Sequence, residues 1–252
     1  MTKKIFATFF LLLLAQVATA KPLYIAAAAD LTYCLTELNA AFKSTHPDVD
    51  FKVSMGSSGN FFAQITAGAP FEVFMSADLE YPRQLMEAGL ADKTSLTPYA
   101  IGQIALWTLD SGLDISKGLG VLTSSAVQRI AIANPKHAPY GRAARAAMEH
   151  SAVWDAVRSK IVMGENIGQA AQFVQSGNAE VGIVALSLLK SPNLPNPGKY
   201  FLIPQNSFPR MNQAAVLTKK GESNPVAREY MQFLRSAEAR AIFDKNGFLL
   251  PN

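Results

Sequence analysis

Short apolar runs alternate along this chain with stretches in which apolar positions recur every three to four residues. Residues 23–29 form a continuous apolar run, which predicts a buried strand. Leu31, Leu35, Leu38, Ala41 and Phe42 then share one helical face, and Thr45-His46-Pro47 ends that helix. Residues 51–55 read as a second strand. The turn Gly56-Ser57-Ser58-Gly59 leads into a helix carrying Phe61, Phe62 and Ile65, which Gly68-Ala69-Pro70 stops. Residues 71–75 are a third strand, running into Ser76-Ala77-Asp78. The second half repeats the pattern. It predicts strands at 129–133, 161–163 and 180–185, and helices at 140–150 and 167–175. Residues 224–243 read as mostly helical, with Val226, Tyr230, Phe233 and Leu234 on one face. Alternation of this kind predicts an α/β protein with parallel sheets covered by helices on both faces.

The two halves are α/β units of similar size, and no low-complexity linker divides them. The Pro/Asn-rich stretch 191–198 falls inside the second unit and reads as a surface loop. Two lobes joined by extended crossings follow, with candidate crossings at 99–106 and 211–217. The first lobe would comprise residues 21–100 and 212–252, and the second residues 101–211.

The N-terminus has its own pattern. A basic start with Lys3 and Lys4, an apolar run over 5–14 and a small-residue site at Ala18-Thr19-Ala20 predict a cleaved secretory signal over residues 1–20. The run is too short to span a bilayer, which takes about 20 residues. Losing Lys3 and Lys4 lowers the formal charge from +4 to +2, and no basic stripe with interleaved aromatics remains, so nucleic acid is not an expected partner. Cys34 is the single cysteine and cannot form an internal disulfide. Its helical spacing from Leu31 and Leu38 reads as a small buried hydrophobe. His46, His137 and His150 are scattered, and no metal-type Cys/His cluster is present in the sequence.

Candidate chemistry sits where strands run into helices. In open α/β sheets ligands bind beyond the carboxyl ends of strands, where helix N-termini offer unpaired N–H groups and a positive dipole end to anions. Four junctions fit: Ala29-Asp30-Leu31, Gly56-Ser57-Ser58-Gly59, Pro139-Tyr140-Gly141 and Asn166-Ile167-Gly168, two from each lobe. Ser57 and Ser58 read either as hydroxyl donors to a ligand or as N-caps. Gly56 and Gly59 favour the ligand by admitting it close to the backbone. Asp30 reads as the N-cap of the helix starting at Leu31, or as an acceptor for a protonated oxyanion, or as a ligand to a metal centre. Tyr140 offers one hydroxyl, or is a half-buried aromatic with a wet tip. Arg142 and Arg145 add positive potential or form the solvated helix face.

At these junctions the chain resembles the periplasmic molybdate-binding proteins of ABC importers. The likeness is carried by residues 26–32, by Ser57-Ser58-Gly59 with Gln64-Ile65 and Gly68-Ala69-Pro70, and by 131–135, Pro139-Tyr140-Gly141, 181–184 and 239–248. Phe71-Glu72-Val73-Phe74-Met75-Ser76-Ala77-Asp78 is its most specific piece. The resemblance implies a two-lobed, type II-like periplasmic binding protein fold. A tetrahedral oxyanion, molybdate or tungstate, would lie between the lobes, held by hydroxyl and backbone N–H donors without a counter-cation or cofactor. By position, Ser58 would supply a side-chain donor and Ile167 its backbone N–H. It further implies a monomeric periplasmic protein that delivers its ligand to an importer's membrane permease and ATPase.

Two departures stand out. Asp30 occupies the place of a binding Ser, so its backbone N–H or that of Leu31 would serve instead. Ala185 occupies the place of a binding Tyr, and Tyr140 would supply the missing hydroxyl. A donor-only pocket favours a fully ionised dianion and rejects sulfate mainly by size. Competing readings are a phosphate or sulfate binder, an enzyme on the same fold, and a sensor or scaffold with a vestigial cleft. No Ser-His-Asp or Cys-His set stands out for the enzyme.

Overall fold

Ten strands make two five-stranded mixed sheets in a computed structural model that describes residues 21–251 apart from Asn193. The predicted signal segment lies outside the described residues. The first sheet holds β1 (Lys21–Ala28), β2 (Val49–Gly56), β3 (Val73–Ser76), β4 (Thr97–Gly102) and β10 (Met211–Leu217), in the order β2-β1-β3-β10-β4. The second holds β5 (Ile104–Thr108), β6 (Ile130–Ala133), β7 (Ile161–Gly164), β8 (Val181–Ala185) and β9 (Lys199–Leu202), in the order β7-β6-β8-β5-β9. In each sheet three parallel strands are followed by an antiparallel one. The architecture is the two-lobed, type II-like fold expected from the sequence.

The unbroken apolar run of β1 follows from burial on both faces. Leu23, Ile25 and Ala27 pack toward Leu35 and Leu38 of α1 (Cys34–Lys43) and Phe243 of α9 (Ala237–Lys245). Ala26, on the opposite face, packs with Phe61 and Ile65 of α2 (Ser58–Thr66). α3 (Glu80–Glu87) adds Leu85 to that layer. In the second lobe α4 (Pro139–His150), α5 (Trp154–Val157), α6 (Ile167–Gln175) and α7 (Leu186–Leu189) surround the sheet. Cys34 is buried in the first core, as its spacing suggested, and burial pushes its thiol pKa well up.

The structure departs from the sequence reading at three elements. The helix expected from Leu31 opens as a separate 3-10 turn, Ala29–Leu31, before α1 begins at Cys34. The helix expected across 224–243 is two: α8 (Pro225–Phe233), then α9, whose N-cap Ser236 accepts from the Ala239 N–H. Residues 211–217 are no crossing but the interior strand β10, paired antiparallel to both β3 and β4. The chain passes between sheets at Gln103 and returns over residues 203–210.

Candidate functional site

The four junctions converge. β1 runs into the 3-10 turn, β2 into α2, β6 toward α4 and β7 toward α6, and together they surround a small, tightly closed cavity. Asp30, Ser57, Ser58, Tyr140 and Ile167 all line it. Ser58 and Ile167 open α2 and α6, and Tyr140 is the second residue of α4. Backbone N–H groups at those positions have no intrahelical acceptor, so three helix dipoles present their positive ends to one small space. Pro139 opens α4 without an N–H of its own to satisfy.

The two serines divide their tasks. Ser57 is the N-cap of α2, accepting from the Asn60 N–H at 3.4 Å. Its hydroxyl also hydrogen-bonds His137 Nδ1 at 2.9 Å. Ser58 is fully buried, and its Oγ accepts from the Ala77 N–H at 2.9 Å. That bond uses a lone pair and leaves the single hydroxyl proton to donate.

Asp30 does not cap a helix. Its carboxylate Oδ2 accepts from the Gln213 amide at 2.7 Å and from the Tyr140 hydroxyl at 3.0 Å. Gln213 Nε2 also donates to the Tyr140 oxygen at 3.1 Å. Desolvation raises the Asp30 carboxyl to about 7, while bonds from Gln213, Tyr140 and its own backbone N–H pull the other way. Tyr140 is fully buried rather than wet-tipped. Its one proton points to Asp30, so the hydroxyl expected to reach the ligand in place of Ala185 is already engaged. Its backbone N–H remains.

Further contacts join the lobes around the cavity. The Gly59 N–H donates to the His137 carbonyl at 2.9 Å, and the Ser187 hydroxyl to the Asp30 carbonyl at 2.7 Å. Arg142 pairs with Asp78 at 2.6 Å and lies over the Tyr81 ring, whereas Arg145 pairs with Glu149 on the outer face. Gln213, Ser187 and His137 escaped the sequence reading. In the structure Gln213 is a fully buried amide inside β10, which the sequence had offered only as a crossing. His137 and Ser57 lie 80 positions apart. His137 Nε2 stands 3.6 Å from the largely exposed Glu165, and the Ser57 oxygen is already engaged as a cap. The Ser57 oxygen therefore has two partners, the Asn60 N–H and His137. Among the described residues no group of three His, Cys, Asp or Glu is placed to hold a metal ion.

Known proteins share this organisation. Residues 23–249 match the family model described as bacterial extracellular solute-binding protein. The molybdate-binding protein ModA of Rhodobacter capsulatus is 38% identical over 237 residues, covering 94% of this chain and 91% of the relative. That of Azotobacter vinelandii is 36% identical over 238 residues, covering 94% and 93%. The solved structure of the Azotobacter vinelandii periplasmic molybdate-binding protein superposes with a TM-score of 0.85 at 34% identity, covering 91% of this chain and all of that one. The chain belongs to the bacterial extracellular solute-binding proteins and is a homologue of the molybdate-binding proteins among them.

Proposed function

We propose that this protein binds molybdate or tungstate as the fully ionised tetrahedral dianion in the periplasm and delivers it to the permease and ATPase of an ABC importer. One observation carries the reading: α2, α4 and α6, from both lobes, point their N-termini at a single cavity that also holds the free proton of Ser58. Ser58 donates its hydroxyl, Ile167 and Tyr140 their backbone N–H groups. The first junction contributes the backbone N–H of Asp30 or Leu31, and Ser57 frames the cavity as the cap of α2. We place the lobes at residues 21–102 with 211–252 and at 103–210, shifted one to two residues from the expected 21–100 with 212–252 and 101–211 because β4 runs to Gly102 and β10 starts at Met211, and the protein acts as a monomer. Closure replaces the dianion's water with charge-assisted hydrogen bonds, each contributing about 1.5–3 kcal/mol. The role is binding, not catalysis, and needs no cofactor.

A second reading has its own support. Asp30 Oδ1 is buried without a protein partner, and it would accept from the hydroxyl of a protonated oxyanion such as hydrogen phosphate. Thermal unfolding with each oxyanion separates the two. Ligand at a hundredfold over its dissociation constant adds about 2.7 kcal/mol, a rise of about 5–10 °C at this size. A rise with molybdate and tungstate alone supports the first reading. A rise with phosphate alone replaces it, and no rise with any oxyanion removes both.

A further inference from the structure

We infer that Gln213, Asp30 and Tyr140 form a latch that holds the two lobes together behind the oxyanion cavity, and that the latch closes with one proton on Asp30. The inference rests on the oxyanion reading above. Asp30 and Gln213 belong to the first lobe, on the turn after β1 and on β10, and Tyr140 belongs to α4 of the second. Three hydrogen bonds of 2.7–3.1 Å link them, and all three residues are buried. Both donors converge on one carboxylate oxygen. Its twin, Asp30 Oδ1, and the amide oxygen Gln213 Oε1 are buried with no protein partner.

Two bare acceptors in one dry cluster are short of a donor. A proton on Asp30 supplies one and removes the buried charge, whose burial uncompensated is the costlier state. No basic side chain bonds or pairs with Asp30 among the described residues. The titratable groups set around it are Cys34 of α1, Tyr99 of β4 and Tyr140 of α4. Burial pushes all three up, so they stay neutral and offset nothing. α6 and α7 bring only uncharged residues to the 3-10 turn. His137 and the Asp78–Arg142 pair lie elsewhere in the same cleft. A dianion in the adjoining cavity adds repulsion against an ionised Asp30.

The coupling has a defined sign. With the lobes apart water solvates Asp30, and its carboxyl titrates near the ordinary carboxylate value of about 4. Closing removes that water and raises it toward 7. Between those values closure takes up a proton, so affinity is greatest on the acid side and falls as pH rises through the window. The slope approaches tenfold per pH unit, and it flattens above the closed-state value.

Molybdate titration calorimetry at pH 6, in buffers of different ionisation enthalpy, counts the proton. Wild type is expected to take up close to one per molybdate bound. Asp30→Asn, which keeps the shape and carries no titrating proton, is expected to bind with uptake reduced by about that amount. This comparison assigns the proton to Asp30 rather than His137. Gln213→Leu, with a thermal melt to check folding, is expected to speed molybdate release while slowing capture little. Binding by wild type without proton uptake, or equal uptake by Asp30→Asn, would overturn the latch and leave oxyanion binding standing. No binding of any oxyanion would overturn both.

Discussion

Ser57 and Ser58 are adjacent, equally small and both buried, yet the structure spends them differently. Ser57 supplies the cap and touches His137. Ser58 is anchored by the Ala77 N–H and retains its proton. Ser58→Ala is therefore expected to weaken molybdate binding about tenfold or more, the worth of one charge-assisted hydrogen bond. Unchanged affinity by calorimetry would remove Ser58 from the site. Ser57→Ala is expected to lower unfolding stability by about 0.5–2 kcal/mol through loss of the cap, with a smaller change in affinity than Ser58→Ala. A denaturant titration beside the calorimetry tells the two apart, and the reverse ranking would exchange their roles.

At the scale of elements, two helix starts depend on absent side chains. A Cβ on Gly141 would press into the carbonyl of Ala133, so α4 rests directly on the end of β6. Gly141→Ala is expected to cost about 1–3 kcal/mol, the usual range for overpacking, read as a lower denaturant midpoint. An unchanged midpoint would show that α4 can shift freely. Gly59 instead meets His137 of the other lobe, together with the end of the Tyr81 side chain in its own. Its Cβ would lie 2.6–2.8 Å from the Tyr81 hydroxyl and from the carbonyl and Cβ of His137. Gly59→Ala is thus expected to leave the melting temperature of the unliganded protein nearly unchanged while raising the molybdate dissociation constant, because it props the cleft open. Loss of stability without loss of affinity would contradict that assignment.

At the scale of the whole molecule, the lobes meet through polar contacts around the cavity and through a narrow apolar seam where Ala28, Ala29 and Ala77 join the core of the second lobe, a limited contact that suits a hinge that opens and closes. Scattering in solution is expected to show a smaller radius of gyration with molybdate than without. An identical radius would mean that the cleft does not close on its ligand. The Asp78–Arg142 pair lies at the cleft mouth, with Arg142 38% exposed. Desolvation raises the Asp78 carboxyl even with Arg142 beside it. Partly exposed pairs contribute little, so Arg142→Ala is expected to speed molybdate release less than tenfold, and the effect should shrink in high salt. A larger loss would make this pair, rather than the buried latch, the main lock.

Local pattern in the sequence determined much of this protein. Runs such as 23–29 and the spacing of Leu35, Leu38 and Phe42 are set by nearest neighbours, so strand, helix and buried face could be read directly. Glycine, serine and proline residues located three of the four junctions for the same reason, and the end of the apolar run at Asp30 located the first. The order of motifs named the family, and five site candidates from both halves line one cavity. What could not be read is which side chain spends its hydrogen bonds on which partner. Asp30 looked like a helix cap until Tyr140, 110 positions away, and Gln213, 183 positions away, arrived beside it. β10 looked like a crossing because an apolar strand carries no mark of the neighbours it will pair with. Those choices belong to tertiary structure, because burial removes water and leaves each polar atom only the partners that distant chain segments bring.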